Sequence, residues 1–311
     1  MRFCNYIYCK SMLSPEHTDC PHCGYPSDET QLHDTDFLLS LLPDLGLEKL
    51  IDMHQIIPKK EGNLDLQMKM IEALSIESLL LQSVPNKVTS LYNNQDLRDL
   101  KAKHPQLFHI SQFSDPRIPF VKWKLKKYAA QNNRVIKILP CLGFEPDSSK
   151  YDKFWGAMEE LGLVVMTHTG FITARHKAEE KKAGLYLNSK YCRPIFFDRV
   201  ARKFPSLQII LCHMGGNEWV EEACQMVTQH ENVWGDISGP GIWALKRIIR
   251  LGIEVDWRKI FWGNDSAAHA YPFNLRMQHR LLTESPFAPA LPYVFYQNGA
   301  NFIAQYLAPS T

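Results

Sequence analysis

The sequence predicts an α/β protein, a (β/α)8 TIM barrel preceded by a small cysteine-rich appendage. The first observation is an alternation. Apolar, strand-like runs at 47–54, 78–83, 107–113, 135–141, 163–169, 207–214, 233–237 and 260–265 are separated by amphipathic stretches such as DLQMKMIEAL and KYDKFWGAMEELG. The second is size, since eight strand–helix units in about 260 residues match a closed parallel barrel. The third is that several runs end on a polar residue: His54 in LIDMH, His168 in LVVMTHTG, His213 in LQIILCHMGG and Asp265 in KIFWGNDS. In a parallel barrel all such ends meet at one mouth. A doubly wound open sheet is the rival, but no G-x-G-x-x-G loop follows the first strand.

The elements follow in order. Residues 1–26 hold Cys4, Cys9, Cys20 and Cys23, spaced C-x4-C-x10-C-x2-C and ending in CPHCGYP. So short a segment builds no apolar core, and a C-x2-C pair followed by glycine aims two thiolates at one metal. This spacing resembles a zinc ribbon or rubredoxin-like knuckle. It predicts a structural Zn2+ on those four cysteines, with His17 or His22 as an alternative to one ligand and iron as an alternative metal. Residues 27–46 read as a connector with one short amphipathic helix, and 47–311 as the barrel. Near-continuous apolar strands such as LQIILC suit a parallel sheet covered by helices. The segment after the fifth strand, FITARHKAEEKKAGLYLNSKYC, is too long for a plain connection and reads as a lid. The final PYVFYQNGANFIAQYL reads as a closing helix pair, and His104, His109, His230 and His279 as surface residues.

Bulk properties narrow the function. The 311 residues carry 35 basic and 33 acidic side chains, a formal net charge of +2, which gives no reason to expect nucleic acid or an anionic membrane as partner. No apolar run approaches a membrane span, and MRFCNYIYCK lacks the apolar stretch of a secretory signal. A cytoplasmic protein acting on a small molecule is expected. Three imidazoles and a carboxylate at one mouth suit a catalytic metal site. Lys137 in the fourth strand is a candidate to hold a substrate carboxylate, and Arg175 on the lid segment a second contact. Asp236 and Trp243 are lesser candidates.

The strand-end motifs together resemble the amidohydrolase superfamily, specifically its amidohydrolase-2 branch. The likeness rests on LIDMH, IKILPC, VVMTHTG, FFDRVARKFP, LCHMGG, WGDISG, WGNDS and NGANFIAQY, in that order from about Leu47 to Leu307. The resemblance implies His54, His168 and Asp265 as ligands of a Zn2+ or another divalent metal. It also implies His213 as general base or electrostatic stabiliser, and in a hydrolase Asp265 would shuttle a proton or bind the metal. A homodimer fits the same family. One departure stands out: the branch opens with D-x-H-x-H, and the second histidine position here holds Ile56. Residues 54 and 56 share one side of a strand, so Ile56 faces the mouth without a ligand atom.

Three functions remain open at this point. The first is a hydrolase of a small carboxylated amide, lactone or ester, with a metal-activated water and His213 as base. The second is a non-oxidative decarboxylase of the same branch. The third is a catalytically inactive barrel serving as a binding module.

Overall fold

The computed structural model describes residues 2–3, 12–14, 20, 35–172, 181–182 and 184–308. Of the N-terminal cysteines, Cys20 is described and buried, while Cys4, Cys9 and Cys23 lie outside the described residues, as does Arg175. A two-residue antiparallel ribbon pairs β1 (Arg2–Phe3) with β2 (Met12–Leu13). Helix α1 (Thr35–Asp44) follows, and its Leu38, Leu41 and Leu42 enter the main core beside Leu50 and Met70.

Eight parallel strands form one sheet in sequence order. They are β3 (Leu50–Gln55), β4 (Ile76–Leu81), β5 (Phe108–Phe113), β6 (Val135–Ile138), β7 (Val164–His168), β8 (Ile209–Cys212), β9 (Val233–Asp236) and β10 (Ile260–Phe261). The sheet curls until its edges meet. Met53 N–H donates to Trp262 O at 3.0 Å and Asp265 N–H to His54 O at 2.8 Å. Gly263 permits that approach, because a Cβ there would stand 2.7 Å from the His54 Cβ. The expected barrel is therefore present, each strand within a few residues of its predicted place.

Alternation along the strands divides two cores. Val135, Val164, Met166, Ile210 and Phe261 point into the barrel and pack together. Ile136, Val165, Ile209 and Leu211 point outward into the larger core under the helices. Those helices include α2 (Asn63–Ala73), α3 (Asn94–Lys103), α4 (Val121–Ala130), α5 (Asp152–Glu160) and α6 (Asp198–Lys203). Then come α7 (Val220–Gln229), α8 (Gly241–Leu251) and α9 (Tyr271–Thr283). Helix α5 buries Phe154, Trp155, Ala157 and Met158 along one face. A capping box starts α3, with the Asn93 side chain accepting from the backbone of Gln95 and Asp96 while Asp96 accepts from Asn93 N–H.

Three sequence expectations need correction. The final stretch is one helical run, π-turns Tyr293–Gln297 and Ile303–Leu307 flanking α10 (Asn298–Phe302). The Asn298–Gly299 pair within it serves close packing. A Cβ on Gly299 would meet Ile51 Cγ2 at 2.5 Å, and Asn298 donates to Trp257 O and Ile260 O at 2.8 and 2.7 Å. His230 and His279 are buried, because Asp198 pairs with His230 Nε2 at 2.9 Å and α9 turns His279 inward. His109 lies on β5 and is half-buried. Among the described residues no helix is long and apolar enough to cross a membrane.

Candidate active site

The polar strand ends converge as the fold requires. Lys137 is the inward residue two positions after Val135, and His168 stands two positions after Met166. On β8 the last inward residue is Cys212, so His213 reaches the mouth by a different device. The backbone turns left-handed at His213 (φ 67°) and Met214 (φ 48°), followed by Gly215 and Gly216 at positive φ. Consecutive positive φ values at non-glycine residues carry strain of about 1–3 kcal/mol each and cluster at functional positions. Gly235 on β9 makes the turn fit, since a Cβ there would stand 2.1 Å from Met214 Sδ. On β3 the pairing register shifts between Asp52 and Gln55, which re-aims His54.

His54, Ile56, Lys137, His168, His213 and Asp265 all line one cavity of about 320 Å³. Ile56, one residue past the end of β3, lines this cavity together with His54. Leu185 and Leu187, from the segment after β7, line it as well. The ligand atoms of His54, His213 and Asp265 lie within 4.8 Å of one another, as do those of His54, Cys212 and Asp236. The Asp265 carboxylate stands 3.5 Å from His54 Nε2 and 3.8 Å from His213 Nε2. His168 is in neither group, and its ring centre is 5.1 Å from that of His213. This donor set, imidazoles and carboxylate in a buried pocket, fits a divalent metal.

A second layer of side chains sets the imidazole protons. Asp236, fully buried, accepts from His54 Nδ1 at 2.9 Å through Oδ2. Its Oδ1 accepts from His213 N–H at 3.0 Å, Ser238 N–H at 3.0 Å and the Ser238 hydroxyl at 2.5 Å. His213 Nδ1 donates to the Ser238 carbonyl at 3.0 Å. A carboxylate and a carbonyl only accept, so both histidines carry a proton on Nδ1 and turn Nε2 toward Asp265. Asp52 fixes the seam, accepting from His54 N–H at 2.9 Å, Asn264 N–H at 3.3 Å and Tyr271 OH at 2.5 Å.

Electrostatics push the two histidines apart. Burial disfavours charge on His54, but Asp236, then Cys212 and Asp265, outweigh it and lift its pKa to about 10. His213 is pushed down to about 4, chiefly by burial and further by neighbouring His54, against the pull of Asp265. Burial alone would raise Asp236, yet His54 holds it well below the usual carboxylate range. His213 is thus neutral, with a bare Nε2 over the cavity, the state a general base needs.

Asp236 was a minor candidate in the sequence, and Asp52, Ser238, Cys212 and Gln82 were not candidates at all. The one signal for the pair at β9 is the spacing Asp236-x-Ser238 after an apolar strand. Trp243 lies on α8 with Lys246 over its ring, outside the cavity lining.

A family model described as amidohydrolase matches residues 119–290, more than half of the chain. No curated protein matches. Among solved structures, an uncharacterised TIM-barrel protein from Bordetella bronchiseptica is similar with a TM-score of 0.62 at 17% identity, covering 83% of this chain and 99% of that one. A 2,6-dihydroxybenzoate decarboxylase from Rhizobium gives 0.57 at 14% identity, covering 83% and 99%. A protein from Acinetobacter baumannii, named for 2-pyrone-4,6-dicarboxylic acid hydrolase and solved with citric acid bound, gives 0.55 at 11% identity, covering 82% and 98%. At these identities the likeness is one of fold.

Proposed function

This chain belongs to the amidohydrolase family, and from that premise we propose a metal-dependent hydrolase of a small carboxylated amide, lactone or ester. The observation that carries the reading is the convergence of His54, His213 and Asp265 within 4.8 Å, beside His168 and Lys137, in one buried cavity. His54, His168 and Asp265 would hold the cation, which when bound supplies Lewis acidity to the substrate carbonyl and to a water. Neutral His213 takes the proton of the attacking water at Nε2, its Nδ1 anchored on the Ser238 carbonyl. Asp265, between both imidazoles, carries that proton to the leaving group. Lys137 holds the substrate carboxylate. Arg175 is a second contact in this reading. The structural Zn2+ on Cys4, Cys9, Cys20 and Cys23 belongs to the same proposal, as does a reducing cytoplasm that keeps those thiols unpaired.

Decarboxylation is the second reading. Ile56 and the apolar wall favour it, because a dry cavity favours loss of a charged carboxylate as neutral CO2. Metal-loaded protein turned over against carboxylated amides, lactones and aromatic acids in 18O-labelled water separates the two. Hydrolysis places the label in the organic product, whereas decarboxylation releases CO2 and leaves the organic product unlabelled. His168→Ala and His213→Asn should each abolish turnover while circular dichroism stays unchanged. Full activity in either folded variant would refute the assignment. No turnover by metal-loaded wild type across the panel would favour the binding module.

A further inference from the structure

The cavity carries two buried polar groups that the protein itself leaves incompletely partnered. Lys137 is 5% exposed, and its amine donates to Cys212 Sγ at 3.0 Å. Among the described residues no carboxylate lies within 4.0 Å of it. A buried ammonium without an anion is costly, and a bound carboxylate removes that cost. Gln82, at the end of β4 and 3% exposed, turns Nε2 to Met166 Sδ, while its Oε1 is buried with no hydrogen-bond partner. Such an acceptor calls for a donor.

The rest of the wall is apolar. Val84, Val88, Leu91, Leu139, Leu142 and Leu187 surround the polar end, and no second lysine or arginine appears among the described lining residues. Within the described lining, a second carboxylate on the ligand would meet these apolar side chains with no lysine or arginine beside it. An apolar body there gains about 25 cal/mol for each Å² removed from water.

We propose that the ligand of this cavity is a monocarboxylate with an apolar body and one hydrogen-bond donor near its head, the carboxylate held by Lys137 and the donor by Gln82. This rests on the reading of the mouth as the active site and names its substrate class.

The test is isothermal titration of the metal-loaded full chain with 3-phenyllactate, 3-phenylpropanoate and glutarate, with metal content measured on the same samples. The expected result is phenyllactate binding about 10-fold or more tighter than glutarate, weakened about 10- to 100-fold by Lys137→Met. Gln82→Met should weaken phenyllactate but leave phenylpropanoate, which lacks the hydroxyl, unchanged. Glutarate binding as tightly as phenyllactate, or Lys137→Met binding like wild type, would overturn the proposal. So would failure of every acid to bind while the mouth retains its metal, an outcome that leaves the metal-enzyme reading standing. Phenyllactate bound through Lys137 in a chain that takes up no mouth metal would uphold the ligand class and remove the metal hydrolase.

Discussion

Asp236→Asn tests how this site is assembled. The carboxylate accepts on both oxygens, with three donors on Oδ1 (His213 N–H, Ser238 N–H and Ser238 OH) and the His54 Nδ1–H alone on Oδ2. Asparagine is nearly isosteric but keeps one acceptor. Its oxygen stays where three donors converge, and its NH2 turns toward His54. That favours an accepting Nδ1 over one that donates to the Ser238 hydroxyl at 2.9 Å, which puts the proton of the neutral ring on Nε2 and removes the lone pair a metal would take. Removing an outer partner of a ligating histidine in this way lowers metal affinity about 10- to 100-fold, or about 1.4–2.7 kcal/mol. Folding loses less than with alanine, because the Oδ1 contacts survive. The assay is competition of a chelating indicator against wild type and variant for Zn2+ and Mn2+, with 15N shifts of His54 reporting its tautomer. A folded Asp236→Asn chain with wild-type metal affinity and the Nδ1–H tautomer would refute the reasoning.

Further outcomes follow from the same structure. Ile56→His restores an imidazole on the cavity wall beside His54, so metal affinity should rise; unchanged affinity would mean that the shifted register of β3 turns position 56 away from the metal. Replacing Cys20 and Cys23 together should remove about one metal per chain and lower the melting temperature, and unchanged metal content would dismiss the knuckle. Burial, with Lys101 adding to it, pushes the His109 pKa from 6.5 to about 4. The folded chain therefore keeps His109 neutral while the unfolded chain protonates it, so stability is full above pH 6.5 and falls as pH drops toward 4. The loss is about 3 kcal/mol, and a His109→Gln chain whose stability falls as steeply over that window would sink this account.

The parts of the site legible in sequence are those set by strand period and strand end. LIDMH, LVVMTH and KIFWGND each mark an apolar run stopping at a polar residue, and a parallel barrel has one place to put such ends. Ile56 was expected on the side of His54 and both line the cavity, but by way of the register shift on β3, whose residues in the inner core are Ile51 and Met53. The buried carboxylates were not legible, because their meaning lies in partners far along the chain. Asp236 meets His54 across 182 positions, and Asp52 meets Tyr271 across 219. Nor does alternation foresee His213, which stands one residue past the inward position and depends on left-handed backbone that LCHMGG suggests only through its glycines.

The charges of the mouth bear on ligand choice independently of the cavity's shape. Asp236 and Asp265 carry formal negative charges, and without a metal imidazolium His54 and Lys137 balance them. A divalent cation in place of the His54 proton leaves one net positive charge, which one carboxylate neutralises and two exceed. Lys137→Met brings the metal-loaded set to neutrality, so the variant should lose its preference for an acid over the matching primary amide. Comparing 3-phenyllactate with 3-phenyllactamide in wild type and Lys137→Met reads this directly. A preference for the acid that persists in the variant would mean that the metal alone, or a group outside the described residues, supplies the charge that this argument gives to Lys137.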